Sequence, residues 1–187
     1  RRLAPQSRLE VLPLGTQLDH RRSLARGEVD LVIGNWLRPP EELHLGRLFS
    51  DEVVCLVSQD HPAVRRGWTE ADWLAAEHIA PTPTHPGARG VIDAHLDSLG
   101  LSRNITARCA HFSAIPHIVA SSLLVLTTGR QFCERFTAQL PLAILPSPVA
   151  FPRLMYYQLW HARTHHSAAA IWLRDTVKSV AASLRKE

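Results

Sequence analysis

Leu24-Ala25-Arg26-Gly27-Glu28-Val29-Asp30-Leu31-Val32-Ile33-Gly34 holds a helix end, a turn and a buried strand in one short stretch. Thr16 to Arg26 reads as a short helix, and Gly27 stops it, because glycine readily takes the left-handed conformation that ends a helix. Val29 to Gly34 is then a β-branched run with one polar interruption, the pattern of a strand covered on both faces. Upstream, Arg8-Leu9-Glu10-Val11-Leu12 alternates polar and apolar residues and reads as a strand. Downstream, Arg47-Leu48-Phe49 and Val53-Val54-Cys55-Leu56-Val57 are two more strands, and His61-Pro62 breaks the chain.

Thr69-Glu70-Ala71-Asp72 is a capping-box pattern that opens a short helix with Trp73 and Leu74 as its buried contacts. His78-Ile79-Ala80 is a strand before the turn-rich Pro81-Thr82-Pro83-Thr84-His85-Pro86-Gly87. Ile92, Leu96 and Leu99 fall at helical spacing, with Gly100 as the stop. Ile105 to Ala110 is a strand, Ser113 to Ser121 a helix, and Leu123 to Leu126 a buried strand. Thr127-Thr128-Gly129 leads into a helix carrying Phe132 and Phe136. Leu142 to Leu145 and Leu154 to Trp160 are strands on either side of the proline-broken Pro146-Ser147-Pro148. A final helix runs from its N-cap Ser167 to Leu184, with Leu173, Val177, Val180 and Leu184 as an apolar stripe.

Strands and helices alternate almost throughout, which predicts an α/β protein with mostly parallel sheets covered on both faces. The passage after Ala80 and the link after Leu145 read as two crossings between lobes. The expected division is therefore residues 1–80 with 146–187 in a first lobe and 81–145 in a second. A chain that leaves a lobe and returns makes a cleft with a two-strand hinge.

These residues resemble a family. Leu24 to Gly34 is similar to the "L-x-x-G-x-x-D-L-A-I" signature of LysR-type effector-binding domains. Leu48 to Val57 followed by Asp60-His61-Pro62 is similar to the next signature. Leu159-Trp160-His161-Ala162-Arg163 with Trp172-Leu173-Arg174 matches a branch that responds to salicylate-like and nitroaromatic-pathway acids. The resemblance covers essentially the whole chain. It implies a type 2 periplasmic-binding-protein-like fold, a dimer or tetramer, a cytoplasmic bacterial protein, and transcription control through DNA. DNA contact is expected only through an N-terminal winged helix-turn-helix that this chain lacks, together with a linker helix, a first strand and a ligand-contacting loop. The helix around Ile92 to Leu99 and the helix after Gly15 are the expected contacts between copies. Ser121-Ser122-Leu123-Leu124 departs from the family's glycine-rich turn.

In doubly wound sheets ligands lie beyond the carboxyl ends of the strands. Those ends fall at Asn35 and Trp36, at Thr82 to Gly87, at His111-Phe112-Ser113, and at Thr127-Thr128. The last two junctions precede helix N-termini, whose free N–H groups favour an anion such as a carboxylate. Ser113 and Thr128 could equally be plain N-caps, and Phe112 core. The resemblance adds His85 or Pro86, His111 and Tyr156 as residues bordering the effector. The expected effector site is thus Asn35, Trp36, Thr82, Thr84, His85, Pro86, His111, Phe112, Ser113, Thr127, Thr128 and Tyr156, and the expected ligand a small, aromatic organic acid.

The net charge of +4 comes from scattered arginines with no basic helix or aromatic-interleaved stripe, so the composition does not by itself mark a nucleic-acid surface. Cys55, Cys109 and Cys133 fit no zinc spacing and read as reduced thiols. No apolar run approaches the roughly 18 residues of a membrane helix, so no membrane partner is expected. No nucleophile elbow, P-loop or His-Glu-x-x-His organises the serines and histidines, so no enzyme, metal or cofactor is expected. The alternative is a transporter's solute-binding protein, which shares the fold and would be exported.

Overall fold

The computed structural model describes residues 3–14, 19–83 and 87–183. In chain order the strands are β1 Val32–Asn35, β2 His44–Asp51, β3 Val53–Ser58, β4 Glu77–Pro81, β5 Asn104–Cys109, β6 Leu126–Gly129, β7 Leu142–Pro146 and β8 Leu154–Trp160. The helices are α1 His20–Arg26, α2 Pro62–Arg66, α3 Glu70–Ala75, α4 Val91–Ser98, α5 Ile115–Ala120, α6 Arg130–Thr137 and α7 Ala168–Ser183.

One sheet has the order β1-β8-β2. A second has the order β6-β3-β7, and β4 with its parallel partner β5 joins it through the bridge between His78 and Val125. The chain passes from the first sheet to the second at Glu52, between β2 and β3, and returns through residues 147–153. β3 is buried along its whole length. Val53, Cys55 and Val57 pack on Trp73, Ile92 and Leu96, whereas Val54 and Leu56 pack on Ile115, Val119 and Cys133. Each such buried aliphatic side chain is worth about 1.5–3 kcal/mol, so β3 is the spine of the second lobe. Leu24, Val32, Leu43, Tyr157 and Leu159 form a separate core in the first.

The two-lobed α/β architecture with two chain crossings is as expected, but strand direction differs. β8 is antiparallel to β1 and β2, and β3 is antiparallel to β6 and β7. β3 and β8 each start at a crossing and run outward, while the strands around them run inward toward it. The expected lobe boundary near residue 80 also shifts. β3 pairs with β6 and β7, so residues from Val53 onward build the second sheet and the first crossing is Glu52.

Local signals fared unevenly. Thr69 and Asp72 form the reciprocal capping box, and Trp73 is fully buried. Asp19 caps α1 by accepting from Arg21 and Arg22, and Gly27 ends it with φ 74°; residues 15–18 of the expected helix lie outside the described residues. Arg8 to Leu12 is not a strand: Leu9 and Val11 stay largely exposed, and alternation alone makes no strand without an edge to pair with. Ser113 to Ser121 opens with a 3-10 turn at Phe112–Ala114 before α5. Leu99 and Val180 are exposed, and α7 instead buries Arg174 and Ala181; Leu184 is outside the described residues.

Candidate functional site

Strand registers fix where the strand ends lie. Asn35, the last residue of β1, pairs with Tyr156, and Asp51, the last of β2, pairs with Leu154. Gly129 at the end of β6 pairs with Val53, and Pro146 at the end of β7 with Val54. β4 runs parallel to β5 and to the start of β6. The carboxyl ends of β1, β4, β5 and β6 are thus all delivered to the side of the molecule where the chain crosses between sheets.

Of the expected site residues, Asn35 and Tyr156 are brought together. Tyr156 stands opposite Asn35 in the register of β8 and β1, its ring stacks on Phe49 at 4.5 Å, and burial raises its pKa. Trp36 lies against Gly34, where a side chain would collide with the indole, and 6.0 Å from the His20 ring. Thr82 is exposed, and its N–H donates to Cys109 O, which ties the ends of β4 and β5. His111 and Ser113 are exposed, and the Phe112 ring packs tilted against Phe132 with centroids 4.5 Å apart. Thr84, His85 and Pro86 lie outside the described residues.

Thr127 and Thr128 part company because successive strand residues face opposite sides. Thr127 stands opposite Cys55, with Oγ1 3.7 Å from the Cys55 Sγ in the core. Thr128 stands opposite Val54, toward the layer of α5 and α6. Neither caps α6. Gly129 occupies the N-cap, and the free N–H groups go to the crossing: Arg130 N donates to Glu52 O at 2.9 Å and Gln131 N to the Asp51 carboxylate at 3.1 Å. Burial raises the Asp51 pKa, against the pull of the N–H donors of Gln131 and Glu52 and the charges of Arg153 and Arg130. Sequence reasoning missed Asp51, although its polar Ser50-Asp51-Glu52 break between two strands carried the signal.

A cavity of about 180 Å³ opens between the sheets, beside the second crossing. Asn35, Trp36 and Leu37 contribute from the end of β1, and Val91, Ile92 and His95 from α4. Phe151 to Met155 of the crossing and β8, with Tyr157, complete it. Arg153 is held there by donating Nε to Ser50 Oγ at 3.1 Å and an NH2 hydrogen to Ser50 O at 3.3 Å. His95 Nε2 lies 3.0 Å from Ala150 O and the ring tilts on Phe151. Asn35 and Trp36 belong to the expected set and line this cavity; His95, Phe151 and Arg153 line it without having been singled out, since nothing local in sequence links residues so far apart.

Elsewhere, His44 and His165 stack at 4.1 Å, Trp160 Nε1 donates to His165 Nδ1, and Arg174 lies over the Trp160 ring. Among the described residues no group of three or more His, Cys, Asp or Glu could hold a metal ion. None of their helices is long and apolar enough to cross a membrane.

A two-sheet α/β body crossed twice by the chain, with strand ends and a cavity at the crossings, defines a hinged small-molecule-binding domain. Residues 1–182 match the LysR substrate binding domain family, and the chain belongs to it. It is similar to the HTH-type transcriptional activator NahR of Pseudomonas putida, 29% identical over 154 residues, 82% of this chain and 51% of that protein. The chain spans about half the length of the curated relatives it matches. A probable transcriptional regulator from Pseudomonas aeruginosa superposes with a TM-score of 0.77 at 27% identity, over 90% of this chain and 55% of that one. The BenM effector binding domain, solved with its effector benzoate, superposes with a TM-score of 0.72 at 15% identity, over 98% of this chain and 82% of that one, a likeness of fold. These relatives are a transcriptional activator, a probable transcriptional regulator and an effector binding domain.

Proposed function

We propose that this domain senses a small carboxylate, aromatic in preference to aliphatic, in the cleft between its sheets, and so controls the DNA binding of a LysR-type regulator. The convergence of the β1, β4, β5 and β6 ends on the two crossings carries this reading. A ligand there touches both lobes and favours one relative arrangement of them. In a cytoplasmic dimer or tetramer that arrangement repositions DNA-binding domains outside this chain and changes half-site spacing or bend. The residues proposed to border the effector are Asn35, Trp36, Thr82, Thr84, His85, Pro86, His111, Phe112, Ser113 and Tyr156; Thr127 and Thr128, sent by the pleat to opposite faces, cannot both reach it. The BenM domain's benzoate supports the ligand class.

A thermal-shift screen of aromatic against aliphatic carboxylates tests the reading. Ligand at a hundred times its Kd adds about 2.7 kcal/mol, several degrees in Tm at roughly 2–4 °C per kcal/mol. Stabilisation by aromatic acids, with a change in small-angle scattering or oligomer arrangement, is the expected result. No shift with any carboxylate would remove the ligand class, and a shift without any rearrangement would remove the mechanism.

A further inference from the structure

Away from the cleft, histidines gather at one place in the first lobe, where the end of β8, the 3-10 turn Ala162–Thr164 and the start of α7 meet the beginning of β2. His44 opens β2 opposite Trp160, and its ring stacks on His165 at 4.1 Å with 24° between the planes. His166 meets His165 edge-on at 4.6 Å. Arg174 of α7 lies over the Trp160 ring and donates to Thr164 O and His165 O. We infer that these residues form an acid-sensitive latch, in which neutral His165 holds the turn and the start of α7 against β8 and its protonation releases them. The inference goes beyond the effector reading and uses none of the residues of the cleft.

The hydrogen bond at the centre of the cluster fixes which form of His165 it accepts. The Trp160 indole has a hydrogen on Nε1 and can only donate, so His165 Nδ1, 3.1 Å away, is the acceptor. The hydrogen of the neutral ring is therefore on Nε2. A second proton can go only to Nδ1, where it sets a donor against a donor and breaks the bond.

The surroundings oppose that proton as well. His44, His166 and Arg174 face the ring from β2, from the turn and from α7, and His161 and Arg163 lie in the same turn. Among the described residues no carboxylate forms an ion pair with any of them. The ring also sits just before the first turn of α7, where Ser167 accepts from Ala170 N and Ile171 N and the positive helix end disfavours a cation. The His165 pKa is lowered from 6.5 by withdrawal from water and by the charges of His44, His166 and Arg174. In the released turn the ring regains its ordinary value. The latch is thus closed above pH 6.5 and loosens as pH falls through the lowered value.

Release has a local reach. Arg174 ties the turn to Trp160, and Gln158 of β8 donates to Arg174 O, so Trp160, the turn and the start of α7 part together. β3, the spine of the second lobe, shares none of these contacts.

The test follows the unaltered domain by NMR and hydrogen exchange between about pH 7.5 and about pH 5. At the upper end, nitrogen shifts should show His165 as the Nε2–H tautomer, and the Trp160 indole N–H, assigned with Trp160→Phe, should be protected. On acidification that indole and the amides of residues 162–172 should lose protection by at least about tenfold after correction for intrinsic exchange. The midpoint should lie below pH 6.5. The β3 amides and the Trp73 indole, which donates to Cys55, should stay protected. His165→Gln, whose side-chain oxygen still accepts but does not titrate, should remove the transition. An Nδ1–H tautomer, a Trp160 indole still protected at the acid end, or the same transition in His165→Gln would overturn the latch. So would loss of β3 protection at the same midpoint, which would mark global unfolding. The tautomer and exchange measurements need no substitution in the latch, so they decide the question even if His165→Gln folds poorly.

Discussion

The Asp51 carboxylate, at the last residue of β2, accepts the backbone N–H of Gln131 in the first turn of α6 at 3.1 Å. A residue of the first sheet thereby caps a helix of the second. Asp51→Ala removes a capping acceptor, which costs about 1 kcal/mol, and a charge placed favourably on a helix N-terminus, which adds up to about 1 kcal/mol more. The expected outcome is a Tm lower by several degrees. Asp51→Asn should fall between the two proteins. A Tm unchanged in Asp51→Ala would mean that the contact contributes nothing.

Gly129 makes room for that carboxylate: a Cβ at this position would collide with Asp51 Oδ2, which accepts from Gln131 N while Oδ1 accepts from Glu52 N. Gly129→Ala should destabilise by about 1–3 kcal/mol through this crowding. Combined with Asp51→Ala, it should cost less than the sum of the two by at least about 0.5 kcal/mol, because the second change removes the atom the first one strikes. Denaturant unfolding of the four proteins in the cycle measures the difference; strict additivity would argue against the collision.

Stability should fall on mild acidification, and His78 is the main reason. Burial pushes its pKa from 6.5 down to about 4, with Nε2 2.7 Å from Trp73 O and Arg103 close by. Between these values the unfolded chain takes up a proton and the folded one does not. The stability from keeping His78 neutral is therefore intact above pH 6.5 and is lost as pH falls toward 4, by at most about 3 kcal/mol. His61 and His20, also lowered by burial, act with the same sign. Asp51, whose pKa is raised, acts the other way nearer pH 4. The slope of unfolding free energy against pH should flatten in His78→Gln.

Cys55 and Cys133 are fully buried, and burial pushes their thiols up to about 11 and about 12. Cys109 is half-buried near the end of β5. A disulfide reagent at pH 8 should therefore modify one thiol rapidly in the native domain and all three in denaturant. Rapid loss of Cys55 or Cys133, located by mass spectrometry, would show that the second lobe opens readily.

Where a residue's role depends on near neighbours, the sequence was a good guide. Thr69 with Asp72, Gly27 after α1, and the unbroken apolar run of β3 each decide their own structure. Strand direction was harder, because the alternation of strands and helices does not say which strands enter a sheet from the crossing. Arg8 to Leu12 has the right pattern and no partner. The site divides on the same line. Asn35 was legible as a strand end, whereas its neighbours Arg153 and Phe151 reach the same cavity from a loop more than a hundred residues away. Thr127 and Thr128 looked like one polar pair, and the pleat sends them to opposite faces.

The two crossings are mechanically unequal. The first is the single residue Glu52, a pin. The second is a strap fastened along its length: Trp68 Nε1 donates to Pro146 O, His95 Nε2 lies 3.0 Å from Ala150 O, and Arg153 grips Ser50. Between the Ala150 and Arg153 fastenings only Phe151 and Pro152 are left to twist, and both line the cavity. Any rotation of one sheet against the other is therefore geared to the shape of that chamber, so that its occupant would bear on the hinge as torque.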